Sequence, residues 1–309
     1  MNKSLIKLLI GIWAVIALFL TCILIYQISS GNKINIMNFS GGVLKLQKEE
    51  SSTLNNVTKL DLNFSSGDVI VKTTKEEQIR VVQKAPGKLK DNQKFVMTKE
   101  GDTLKVKEEN KIFSLNIFNW ASFNQVYEVY IPENYDKDVY INNSSGNMNI
   151  DSIFNLNNME LSESSGNITS DYSIKSKNFL LKSSSGNVKL GEVFSDTFNL
   201  STSSGNINVK PLSGGGSIFA SSGNIEVGLS QIGDKVDLSA NSGNIIIDIP
   251  SKLGFKLDGN SSSGNINSDF DISYKNNNRN NGTIKVGDGP YKEITARTSS
   301  GNINISKVD

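Results

Sequence analysis

Along most of the chain apolar and polar residues alternate, and a Ser-Gly-Asn triplet interrupts the alternation at regular distances. The triplet glycines are Gly146, Gly166, Gly186, Gly205, Gly223, Gly243, Gly264 and Gly301, and Gly67 stands in the variant Ser66-Gly67-Asp68. From Gly146 to Gly264 they recur about every twenty residues, the mark of a repeat architecture. Positions seven and five before each glycine are mostly apolar, as in Leu60 and Leu62, Met159 and Leu161, or Phe198 and Leu200. So are positions two and four after it, as in Val69 and Val71, Met148 and Ile150, or Val188 and Leu190. A period of two on both sides predicts strands on both sides. Each unit therefore reads as strand, Ser-Ser-Gly-Asn turn, strand and variable connector. Gly282 falls midway between Gly264 and Gly301, and reads as a degenerate copy that keeps only its second half.

The turn residues have local reasons. A sharp corner needs a residue at positive φ, where glycine has no Cβ to clash. Asparagine follows it in every full copy, as Asn147, Asn167, Asn187, Asn206, Asn224, Asn244, Asn265 and Asn302. Asparagine tolerates left-handed backbone, and serine bonds nearby backbone groups. Recurrence of the same residues in every copy asks for a cause beyond the turn. Parallel in-register stacking supplies it, placing like residues about 4.8 Å apart as apolar ladders inside and Asn or Ser ladders at the corner. The predicted fold is all-β, a β-solenoid (β-helix-like) of ~20-residue coils. A meander of hairpins with two-residue Gly-Asn loops has the same side-chain parity and is the competing arrangement.

The amino end has a different pattern. Residues 8–26 carry no charge, and Lys3 and Lys7 precede them. Such a run is long enough for one transmembrane helix, which the positive-inside rule orients with the short end in the cytoplasm. A cleaved signal peptide is the rival, but its apolar region is shorter and Tyr26-Gln27-Ile28-Ser29-Ser30 is a poor cleavage site. Cys22 reads as apolar filler in that helix. The expected organisation is a cytoplasmic end over 1–7, a transmembrane helix over 8–28, and a linker with a first strand over 29–56. An N-terminal β region with one repeat follows over 57–137, then the solenoid repeats over 138–309.

Within the N-terminal β region, alternation predicts strands over 78–82, 94–98, 103–107 and 125–131. Phe113, Phe118, Trp120 and Phe123 form the most aromatic stretch. That stretch is expected to close one end of the solenoid core, or alternatively to serve as an interaction patch for a partner. At the other end Ile305 to Asp309 is expected to cap the stack. Leu212 to Gly216 reads as a flexible connector, and 275–282 as an exposed loop.

Composition then removes most chemistry. The chain of 309 residues has no His and one Cys, which excludes imidazole-based nucleophilic systems, His-ligated zinc and CxxC sites. With 32 Lys+Arg against 31 Asp+Glu there is no basic surface for nucleic acid. The acids of the repeats, including Asp151, Glu160, Glu163, Asp171, Glu192, Asp196, Glu226, Asp237 and Asp248, occupy no constant position and read as solubilising surface charge. Lys182-Ser183 resembles a Ser-Lys pair only in isolation, since serine recurs there for the turn. No P-loop, dinucleotide or calcium-binding nonapeptide pattern is present. No catalytic residue, metal site or cofactor is expected.

The Ser-Ser-Gly-Asn-Ile/Val repeats, the Ile131-Pro132 strand end, Gly287-Asp288-Gly289 and the closing Thr298-Ser299-Ser300-Gly301-Asn302-Ile303 together resemble the putative-adhesin family of bacterial membrane-anchored β-strand-repeat proteins. The likeness runs from about Val57 to Ile305. It implies a β-helix-like fold in an envelope-stress-associated domain of unknown function, and carries over no catalytic residue. The expected role is a non-enzymatic extracytoplasmic scaffold or interaction module held in the cell membrane by its single-pass anchor. A surface adhesin binding glycan or protein ligands is the alternative, with the Asn and Ser ladders as its polar face, and a carbohydrate-active enzyme stands third. Candidate partners are the membrane, envelope proteins and cell-wall glycans.

Overall fold

The computed structural model describes residues 43–108, 125–275 and 278–309, within one compact unit running from Val43 to Asp309. The apolar run at 8–28 and the aromatic residues Phe113, Phe118, Trp120 and Phe123 lie outside the described residues. Among the described residues no helix is long and apolar enough to cross a membrane.

The repeats stack in parallel and in register, which separates the solenoid from the hairpin meander. Phe154–Ser165 pairs in parallel with Ile174–Ser185, matching Met159 to Phe179 and Leu161 to Leu181. Ile174–Ser185 pairs in the same way with Val193–Ser204. After the corner Ile168–Ser170 lies between Met148–Ile150 and Val188–Leu190. A central coil thus has three pairing stretches, and the first two belong to one strand that bends at Asn157. Inward positions form the predicted apolar ladders; Val139, Met159, Phe179, Phe198 and Val236 are all buried. Each such side chain contributes about 1.5–3 kcal/mol of burial.

The glycine requirement is steric as well as conformational. Gly166 has φ +150°, and a Cβ there would lie 1.7 Å from the carbonyl oxygen of Gly146. The same contact recurs from each corner to the next, so corners stack through bare backbone. The order of these contacts is Gly67, Gly146, Gly166, Gly186, Gly205, Gly223, Gly243, Gly301, Gly264.

That order corrects the expected cap. The C-terminal pair of strands, Lys292–Ser300 and Ile303–Val308, does not end the stack. It is inserted between the Gly243 coil and the Gly264 coil, pairing in parallel with both. The other end has the mirror arrangement. Thr103–Glu108 and Val126–Pro132 pair in parallel with Lys59–Phe64 and Asp68–Thr74, and Asp138–Asn143 pairs with Lys59–Phe64 from the opposite side. The Gly67 coil is therefore second in the stack although first in sequence.

Antiparallel strands cover the outermost coils. Phe95–Glu100 covers Thr103–Glu108, and Gln78–Ala85 covers Val126–Pro132 with Lys45–Thr53 beyond it. At the far end Asn281–Val286 covers Phe255–Ser263, and Ile272–Tyr274 pairs with it. Lys45–Thr53, with the sequence KLQKEESST, presents a charged outer strand of the kind that discourages edge-to-edge pairing. Gly282 thus lies in an antiparallel covering strand and not in a degenerate coil. The Leu212 to Gly216 connector is likewise part of a continuous strand, Ile207–Ser222. Its missing side chain at Gly216 is replaced by the Phe198 ring of the neighbouring coil, 2.9 Å from where a Cβ would stand.

Candidate binding groove

At the Ser-Gly-Asn corner the polar groups are consumed between coils. The backbone N–H of Asn167 donates to Oδ1 of Asn147 at 3.1 Å, Asn187 to Asn167 at 2.9 Å, Asn206 to Asn187 at 3.0 Å and Asn224 to Asn206 at 2.8 Å. Asn244 continues onto Asn224, Asn302 onto Asn244, and Asn265 onto Asn302. Asp68 starts the ladder as the acceptor for Asn147. Corner glycine N–H groups donate to serine carbonyls of the adjacent coil, as Gly186 does to Ser204 at 3.0 Å. The asparagines of successive corners are thus joined by backbone-to-side-chain bonds between coils.

A second row lies three residues before each glycine, and parity turns it inward. In stacking order it reads Phe64, Asn143, Glu163, Ser183, Thr202, Ala220, Ala240, Thr298 and Ser261, all buried. Three of these donate to a corner carbonyl of the adjacent coil: Asn143 to Gly67 at 3.2 Å, Thr298 to Gly243 at 2.9 Å and Ser261 to Gly301 at 2.8 Å. Glu163 occupies the same position and is 1% exposed, so it is not the surface charge the sequence suggested. Burial, with a smaller effect from the Asp68 charge, raises its carboxyl to about 7. Oε1 accepts from the Ser165 N–H at 3.2 Å, while Oε2 is buried without a partner. Ser183 and Thr202 of the same row are likewise without a partner, so the bond to a corner carbonyl is made at some positions of the row and not at others. The sequence held the signal, because polar residues fall on the same parity as the apolar ladder.

Another face carries a concavity, where the pairing of the long strands is interrupted. A groove of about 860 Å³ runs across the coils from Asp136 and Lys137 to Gly233 and Asp234. On successive coils it is lined by Leu156, Ser176, Ser195, Ser213 and Ile232, with Asn155, Asn157, Lys175, Lys177, Phe194, Asp196 and Gln231 among the flanking residues. Its size falls in the range of ligand sites. Ser176 and Ser195 are 8% and 9% exposed, and their Oγ atoms are buried without a partner. Ser213 Oγ is 2.8 Å from Ser230 Oγ. Hydroxyls so enclosed are not presented to the groove, whose accessible polar groups belong to the exposed Asn155, Lys175, Lys177, Asp196 and Gln231. A smaller hollow of about 510 Å³, lined by Val57, Asn134 and Tyr135, shares Asp136 and Lys137 with the groove.

Charges in the groove are unevenly paired. Asp136 pairs with Lys137 at 2.9 Å, and Asp234 with Lys292 at 2.8 Å. Lys175 lies 5.8 Å from the Phe194 ring centroid. The sequence could not reveal this site, because its residues lie in the variable connectors. Elsewhere Asp248, which stands alone in the sequence, shares Lys210 with Glu226 at 2.6 and 2.7 Å. Desolvation acts against the charge on Lys210, but bonds to both acids hold its amine above the usual lysine range. Among the described residues no group of three or more His, Cys, Asp and Glu side chains could hold a metal ion.

Comparison with known proteins places the fold. No curated protein matches the chain. Among solved structures, a putative adhesin from Bacteroides fragilis NCTC 9343 is 13% identical over 85% of this chain and 97% of that one, with a TM-score of 0.48. A putative adhesin from Parabacteroides distasonis ATCC 8503 is 11% identical over 86% and 98%, with a TM-score of 0.45. A putative lipid binding protein from the same organism is 15% identical over 85% and 96%, with a TM-score of 0.46. The family described as Toastrack DUF4097 matches residues 57–306, nearly all of the stacked unit, and the chain belongs to that family.

Proposed function

We propose that the protein is a non-enzymatic, adhesin-like component of the cell envelope that holds an extended ligand along the groove. In this reading residues 8–28 anchor it in the membrane, residues 1–7 stay in the cytoplasm, and the stacked coils stand outside. The observation that carries the reading is the groove itself, which crosses the coils from Asp136 to Asp234 and presents the exposed polar side chains of Asn155, Lys175, Lys177 and Gln231. Regular coil spacing, about 4.8 Å, suits a ligand that repeats along its length. The carboxylates support no hydrolytic pair: Asp248 and Glu226 share Lys210, Asp234 is paired with Lys292, and Glu163 is buried beneath the corner.

The test uses full-length protein in membranes, with isolated cell-wall polymer and envelope proteins offered together. Asn155→Trp with Gln231→Trp fills the groove from two exposed positions and leaves the apolar ladders intact. Capture of wall polymer or of one envelope protein, abolished in this variant at an unchanged melting temperature, supports the reading. Capture that survives filling refutes the groove as the binding face.

A further inference from the structure

We propose that the groove takes a linear acidic glycan, with one sugar ring against Phe194 and an acid group of the chain near Lys175 and Lys177. The proposal rests on the groove being the binding face and adds the chemistry of what fills it.

Three alternatives fit the lining poorly. An extended peptide binds grooves by adding a strand, but the central strand Ile174–Ser185 is already hydrogen-bonded on both sides. A hydrocarbon chain would desolvate the exposed Asn155, Lys175, Lys177 and Gln231 without pairing them. A double-stranded nucleic acid needs a broad basic surface, and the groove carries aspartates along its length. A polyhydroxylated chain answers each feature. Its hydroxyls both donate and accept, which suits the exposed amides of Asn155 and Gln231, each offering a donor and an acceptor. The apolar face of a sugar ring can lie on the partly exposed ring of Phe194. A pyranose is about as long as one coil is thick, so successive sugars can meet successive coils at the ~4.8 Å spacing.

The charge pattern selects an acidic glycan. Lys175 and Lys177 flank Ser176 on one strand, both are exposed, and neither has a carboxylate in salt-bridge range among the described residues. The acids at the groove ends are already neutralised by Lys137 and Lys292. Asp196 is the acid left in the central stretch, so the middle of the groove retains a positive excess. Two exposed ammonium groups on one strand suit a carboxylate or phosphate substituent carried on the polymer.

The full-length chain in detergent is titrated with two probes, a linear hexagalacturonate and its fully methyl-esterified counterpart. The acid should bind at least tenfold more tightly at low salt, and the difference should shrink as salt is raised. Lys175→Gln with Lys177→Gln should weaken the acid about tenfold and leave the ester unchanged. Phe194→Ala should weaken both. Equal binding of the two probes, or an acid affinity indifferent to the lysine changes, overturns the acidic assignment while the groove reading survives. Binding that persists when Asn155→Trp and Gln231→Trp fill the groove overturns that reading as well, and failure of both probes to bind overturns the acidic-glycan proposal.

Discussion

Replacing Glu163 by Gln tests whether the inward row beneath the corner needs a proton. Glu163 is 1% exposed, and burial lifts its carboxyl from 4.5 to about 7. A raised acid makes the folded state bind more protons than the unfolded chain between those two values. Stability therefore falls as pH rises through that window, beginning near 4.5 and complete above 7. At about 1.36 kcal/mol per pH unit, the loss is on the order of 3 kcal/mol. Gln cannot ionise and keeps close to the size of the acid it replaces. Its neighbours in the row, Asn143 and Ser183, do not titrate, and Asp68 is the acid whose charge reaches it. The variant should match wild type at pH 4 and exceed it by roughly 3 kcal/mol at pH 8. For a unit of this size that is roughly 6–12 °C in melting temperature. Urea or thermal unfolding of the full-length protein at pH 4, 6 and 8 reads the difference. A difference of the same size at all three pH values would refute the argument, because it would show that no proton is gained on folding.

Gly186→Ala should cost several kcal/mol, because φ is +134° and the new Cβ would stand 2.0 Å from Gly166 O. Gly101→Ala is the control: its φ is +62° with nothing within 4 Å, so only the backbone penalty of about 1–2 kcal/mol applies. Equal losses in calorimetry for the two variants would remove the close-stacking explanation. Truncation before Lys292 should open the stack between the Gly243 and Gly264 coils, since the removed strands pair with both. Hydrogen exchange should then rise sharply in Ile245–Pro250 and Phe255–Ser263; protection retained in both would contradict the inserted order.

How far the sequence reached is clearest at the corners. Gly166, Asn167 and their equivalents were legible because turn chemistry and coil stacking make the same demand in every copy. The −3 row was legible in principle: Asn143, Glu163 and Thr202 share the parity of the apolar ladder. Charge hid it, since an acid with no constant position reads as surface. The groove was not legible, because its residues sit in stretches of unequal length between corners, and only stacking sets Ser195 beside Ser176 and Ser213 beside Phe194.

By itself the sequence determined the all-β class, the ~20-residue period, which residues face inward beside each corner, and why glycine stands at each turn. These are local or nearest-neighbour properties, fixed by a backbone angle, a side-chain parity or contact with the next copy. Only the tertiary structure decided the order of the coils at both ends. One repeat pairs about equally well with any like repeat, so the sequence places no mark on which neighbour it takes. The antiparallel covers at Gln78–Ala85 and Asn281–Val286 close the outer coils. Insertion of the Gly67 and Gly301 coils one step inward gives each of them a parallel partner on both sides, so the first and last repeats of the chain leave no open edge.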